Sequence, residues 1–100
     1  MNYTVELSIK ARLELSQSWT WYEEQQRGLG DRFEETFFNK AYLIQTNPLH
    51  YPVKGNYRQA PTDIFPFLIV FKVDRRKGLI LVVSVFHTSR HPRRKYTKGK

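Results

Sequence analysis

The chain has 100 residues, 17 of them Lys or Arg against 9 Asp or Glu, and no cysteine. That length suits one hydrophobic core and leaves no room for a second domain of ordinary size. The lack of Cys excludes disulfide frameworks, thiolate zinc sites and thiol nucleophiles. With 40% apolar and 15% aromatic residues, and only 5 Gly and 5 Pro, the chain can bury enough surface to fold.

Met1 to Ser8 has no basic flank followed by an apolar stretch, so it does not read as a secretory signal. The longest apolar runs, 64–71 (broken by Pro66) and 79–83, fall far short of the roughly 20 residues that span a bilayer. A soluble, cytoplasmic protein with no membrane partner is the expectation. Charge is unevenly placed. Residues 1–50 carry five basic and seven acidic groups, a net of −2, whereas residues 51–100 carry twelve basic groups and only Asp63 and Asp74, a net of +10. Such asymmetry points to an anionic partner, either nucleic acid or an acidic protein segment.

In chain order, Tyr3, Val5, Leu7 and Ile9 alternate with Thr4, Glu6 and Ser8, the period of a strand with one buried face. From about Ile9 the period changes, and Ala11, Leu15, Ser18, Trp19 and Tyr22 form one face of a helix that Gly28 ends. After the corner at residues 28–31 a second helix buries Leu29, Phe33, Phe37, Ala41 and Ile44, with Asp31, Glu34 and Glu35 near its positive end. Asn47-Pro48 stops it. Residues 49–63 read as a loop around a short strand near Tyr57 to Gln59. The runs Phe67 to Val73 and Leu79 to Phe86 are strands of a hairpin closed by Asp74-Arg75-Arg76-Lys77-Gly78, apolar on both faces as central strands would be. The last dozen residues have no apolar period.

This order predicts an α+β fold: an N-terminal strand, a helical hairpin, then a three-stranded antiparallel sheet, β-α-α-β-β-β. One domain is expected over residues 1–94, followed by an exposed basic tail at 95–100. His87 and His91 are four apart, but without a helical pattern they make no metal site, and no cofactor is expected.

The ordered series Trp21-Tyr22-Glu23-Glu24-Gln25, Gly28-Leu29-Gly30-Asp31-Arg32-Phe33, Ile44 with Asn47-Pro48, Arg58, Phe65-Pro66-Phe67 and His87-Thr88-Ser89-Arg90-His91-Pro92 resembles the RelE/ParE toxin superfamily. It is most similar to the ParE side, the plasmid-stabilisation toxins, from the first strand to about Arg94. The resemblance implies a toxin of a type II toxin–antitoxin pair, held inactive by a cognate acidic antitoxin. On the ParE branch it implies poisoning of DNA gyrase; on the RelE branch it implies cleavage of messenger RNA in the ribosome.

Ribonuclease chemistry needs a base for a 2′-hydroxyl, an acid for the leaving oxygen and cations for the transition state. The candidates are His87, Arg58, Arg90, Lys54 and Tyr96. The sequence departs from the ribonuclease pattern, however, because only Lys54 precedes Arg58 where RelE carries a pair of lysines, and Pro92 interrupts the C-terminal basic segment. The favoured reading is therefore ParE-like, with Arg58, His87, Arg90, Arg93 and Arg94 as a target-docking surface. Trp19, Tyr22, Phe38 and Tyr42 on the helical hairpin are the candidates for antitoxin binding. Plainer roles stand beside these: Arg58 pairing Asp63 at the surface, His87 closing an apolar strand, and Trp19, Trp21 and Tyr22 packing the core.

Overall fold

The computed structural model describes residues 3–88. In chain order it contains β1 (Thr4–Leu7), α1 (Ile9–Gln25), α2 (Leu29–Thr46), a single 3-10 turn (Pro48–His50), β2 (Val53–Lys54), β3 (Tyr57–Pro61), β4 (Phe67–Asp74) and β5 (Leu79–His87). The strands form one five-stranded sheet in the order β1-β5-β4-β3-β2, antiparallel throughout except that β1 lies parallel to β5. The α+β fold is the expected one. Two details differ: the two-residue β2 extends the antiparallel part from three strands to four, and β1 joins the same sheet.

Ser8 is the switch from strand to helix. Its backbone is extended and its Oγ accepts from the Ala11 amide at 3.0 Å, which satisfies one of the donors left open at a helix start. The same hydroxyl donates to the Val83 carbonyl at 3.1 Å, so the start of α1 is tied to β5. Ile9, expected on the buried face of the strand, is instead the first residue of α1 and 80% exposed.

The corner between the helices is closed by one carboxylate. Glu23 on α1 accepts from the amides of Gly28 (2.9 Å) and Gly30 (3.0 Å), where the dipole of α2 favours negative charge. Gly28 stands just before α2 in the left-handed region, φ 88°, so it starts the second helix where the sequence suggested it would end the first. Gly30 is buried, and a Cβ there would lie 2.7 Å from the Trp19 carbonyl oxygen and 2.9 Å from its Nε1, so the close approach of the helices requires glycine. That contact explains why Trp19, expected in the buried stripe, is only half-buried, its Nε1 donating to Asp31 Oδ1 at 2.9 Å, and why Gly30 takes the buried place expected of Leu29.

The remaining stripes hold: Ala11, Leu15, Ser18 and Tyr22 on α1, with Phe33, Phe37, Ala41 and Ile44 on α2, are buried against one face of the sheet. At its centre Phe33 meets Phe67 at 4.6 Å between ring centroids, and Tyr22 meets Phe65 at 5.0 Å edge-on. Each such ring contributes about 1.5–3 kcal/mol by leaving water. The opposite face carries Leu68, Val70, Leu79 and Leu81 half-buried, with no helix over them among the described residues.

β1 is shorter than β5, and among the described residues no strand lies beside the edge of β5 beyond Val82. Here the register against β4 slips, Val70 facing Ser84 while Phe71 faces Val82, so Val83 is an extra bulged residue. Glu14 fills the gap from α1: its Oε1 accepts from the Val85 amide at 2.8 Å and from Ser84 Oγ at 2.9 Å.

The loop before β4 is strained. Ile64 has φ 72°, the only non-glycine residue with positive φ among those described, and the Phe65 amide bonds back to the Asp63 carbonyl at 2.7 Å across it. A β-branched residue in such a tight γ-type turn costs of the order of 1–3 kcal/mol. Two stability changes of opposite sign follow. Gly30→Ala should lower stability by about 1–3 kcal/mol through overpacking, a fall of several degrees in melting temperature. Ile64→Gly should raise stability by up to about 1 kcal/mol as the strain is released. Thermal unfolding by circular dichroism reads both.

Candidate functional site

Arg58 sits on β3 opposite Phe71, which turns its side chain toward the helix-covered face at the rim of the core. Its Nη1 donates to the carbonyls of Tyr51 (2.7 Å) and Leu49 (3.4 Å), which follow the end of α2. The guanidinium is therefore held by backbone oxygens and not by Asp63, whose carboxylate lies 4.0 Å from Lys40 Nζ. Five N–H donors leave the fork with further capacity after these two bonds.

His87 ends β5 and is 6% exposed, its ring edge-on to Phe67 at 4.7 Å. It belongs to the aromatic core. Because His87 faces Phe67 and Arg58 faces Phe71, the two are separated by four residues along β4 and two strand spacings across it. That is roughly 13 Å along and roughly 10 Å across. The described structure thus does not bring these two candidates together on one phosphate-sized site. Lys54, on β2, is exposed beside the turn that leads to Arg58. Arg90, Arg93, Arg94 and Tyr96 lie outside the described residues, as does the expected boundary between 94 and 95.

The four hairpin candidates divide. Tyr22 is a correction: at 7% exposure its ring is packed among Phe33, Phe65 and Phe67, because it lies on the same helix face as Leu15 and Ser18. Trp19 is engaged by Asp31 and Gly30. Phe38 and Tyr42, one turn apart on α2, are 51% and 63% exposed and remain on the surface.

The structure also assembles a group that sequence reasoning passed over. β3 stops pairing with β4 at Arg58–Phe71, while β4 runs on to Asp74. The resulting notch is a cleft of about 180 Å³ whose lining includes Leu49, Val53, Arg58, Phe71, Lys72 and Arg75. Arg75 and its neighbours read as a hairpin turn in the sequence, and Lys72 as one residue of a strand. The termination of β3 pairing brings them to the lining of the same cleft as Arg58, although Lys72, paired with Leu81, turns its side chain to the opposite face of the sheet. The excess of basic residues after position 50 was the signal that could have found them. Among the described residues no cluster of three His, Asp or Glu side chains is arranged to hold a metal ion, and no helix is long and apolar enough to cross a membrane.

A two-helix hairpin laid on one face of a mostly antiparallel sheet, with a cationic sheet end, defines a small α+β domain. The chain belongs to the ParE family of type II toxin–antitoxin toxins: the family model for "ParE toxin of type II toxin-antitoxin system, parDE" matches residues 5–92. No curated protein sequence matches. Among solved structures, the fold is similar to the chromosomal ParDE system from P. aeruginosa, with a TM-score of 0.74 at 12% identity over 85% of this chain and 95% of that one. It is also similar to the RelBE2 complex from Mycobacterium tuberculosis (0.64, 16%, covering 87% and 99%) and to the intact RelBE complex from E. coli (0.64, 18%, covering 88% and 99%). At these identities the likeness is one of fold.

The placement of the two candidates separates their variants. His87→Ala removes a ring from the core and should lower stability by about 1–3 kcal/mol. Arg58→Ala frees two carbonyls near solvent and should cost no more than about 1 kcal/mol. Urea unfolding followed by tryptophan fluorescence gives both values.

Proposed function

We propose that this toxin arrests growth by binding an essential cytoplasmic protein, DNA gyrase, through its basic half, and that a cognate antitoxin neutralises it. The observation that carries the choice of binding over catalysis is the separation of Arg58 and His87. One is anchored to carbonyls at the sheet rim and the other is buried beside Phe67, a placement that favours binding because the two candidates are not set together at one phosphate. Proton transfer requires the base within hydrogen-bond reach of the proton it takes. The ParE family match supports the same branch.

The relatives in solved structures are toxin–antitoxin complexes, which supports an antitoxin partner. Phe38 and Tyr42 offer an apolar stripe on α2 suited to an amphipathic helix. Phe38→Ser with Tyr42→Ser should therefore leave the fold intact and impair neutralisation by a co-expressed antitoxin.

Inducible expression in bacteria, with plasmid supercoiling and transcript integrity scored in the same cells, tests the target. Relaxed or gyrase-cleaved DNA with intact transcripts is the expected result. Unchanged supercoiling together with cuts inside translated codons, lost in Arg58→Ala, would replace this reading with a ribosome-dependent endoribonuclease.

A further inference from the structure

Ile64 works against folding on two counts. Its β-branched side chain stands on a backbone of φ 72°, a left-handed conformation that Gly or Asn adopts far more readily. That side chain is also 80% exposed, so little of it packs against the described fold to offset the strain. Either Gly or Asn at this position would relieve the turn and leave less apolar surface in water. The loop around Ile64 nevertheless holds it firmly. Thr62 donates from its hydroxyl to the Phe65 carbonyl at 2.7 Å and from its amide to the Phe67 carbonyl at 3.0 Å, and the Phe65 amide closes the turn on the Asp63 carbonyl. After the turn Phe65 is buried among Tyr22 and Phe33; before it, Asp63 meets Lys40 of α2. The turn is therefore fixed on both sides, and the side chain at its tip is aliphatic.

Backbone strain of this kind persists only where the surroundings impose it, and it gathers at binding sites and ligand clamps. A knob already fixed in place loses little freedom when a partner closes over it. The chemistry of the tip selects the partner. An aliphatic side chain gives nucleic acid neither a ring to stack on nor a donor to its phosphates, and the exposed Asp63 carboxylate next to it repels them. An amphipathic helix laid on Phe38 and Tyr42 lies on the other side of α2 from Lys40, since residues 38 and 42 are each two positions from 40, about 200° around the helix. An apolar pocket on another protein fits the knob.

We infer that Ile64 is a contact residue for the toxin's protein target: the strained turn at residues 63–65 presents its side chain as a knob that enters an apolar pocket of that protein. The inference rests on the toxin reading above, and it names the part of the second half of the chain that makes the apolar contact. Stability and growth arrest then pull in opposite directions at this one position, as they do where function keeps a strained residue.

The test expresses the full chain inducibly without antitoxin and scores growth rate against the amount of toxin in the cells, measured by quantitative immunoblot. Ile64→Asn suits the left-handed backbone and removes the apolar group. The amount of protein that halves the growth rate should rise about tenfold or more, the affinity that one buried aliphatic side chain supplies. The melting temperature of the same variant, by circular dichroism, should stay level or rise. Ile64→Gly should behave in the same way, whereas Ile64→Leu, which keeps an aliphatic group at the tip, should still arrest growth. Ile9→Asn changes an equally exposed isoleucine on ordinary helical backbone and should leave arrest unchanged. The inference is overturned if the Asn and Gly variants arrest growth at the wild-type amount, if Ile9→Asn weakens arrest as much as they do, or if both variants lose arrest together with a fall in melting temperature. Variants that arrest growth normally but escape a co-expressed antitoxin would assign Ile64 to the antitoxin and overturn it as well. A wild type that arrests growth no better than its variants rejects the knob alone. A wild type that leaves growth unchanged at every amount rejects the toxin reading, and the inference with it.

Discussion

Helix α1 and helix α2 meet at Gly30 with no side chain between them, and the rest of the molecule is arranged around that contact. The missing Cβ lets the Trp19 backbone and indole come within reach of α2, and it leaves the Gly30 amide open to the Glu23 carboxylate. Held this way, the hairpin presents a single aromatic surface, Tyr22 beside Phe33, to the sheet. Phe65, Phe67 and His87 then pack against that surface, at the point where β4 begins and β5 ends. Any widening of the corner would separate these rings first, since offset and edge-on contacts between rings hold only over centroid distances of about 4.5–7 Å.

Much of this was legible in the sequence, because the signals were local. The periods of two and of about 3.6 residues placed β1, α1 and α2, and the Asn47-Pro48 stop ended α2 where the chain does turn. The misplacements come from long-range contacts that periodicity does not carry. Ile9 satisfies the strand alternation, but the Ser8 hydroxyl caps a helix there. Leu29 fits the buried stripe, yet the close approach of α1 makes Gly30 the buried residue. That β1 would lie parallel to β5 depends on the hairpin crossing over the sheet, which no short window of residues records.

The candidate site was less legible than the fold for the same reason. Residue type singled out Arg58 and His87, but type says nothing about which face a strand residue turns to. The structure sends one to the rim and the other into the aromatic core. Conversely Lys72 and Arg75 looked like ordinary strand and turn charges. They line a cleft only because β3 stops pairing at Phe71, one residue before Lys72 and four before Arg75. The positive excess of the second half was visible as a number; its geometry is a property of strand pairing.

Glu14 has a consequence beyond its two hydrogen bonds. An uncovered strand edge is a template on which another chain can lay its own strand, and proteins with such edges tend to polymerise. On β5 the Val85 donor is already taken by Glu14 from within the same chain, and Val83 bends the strand out of regular register just before it. A foreign strand must displace a carboxylate and straighten a bulge before it can add. The helix that covers the core therefore also occupies the edge of β5 at Val85, where it opposes the addition of a foreign strand.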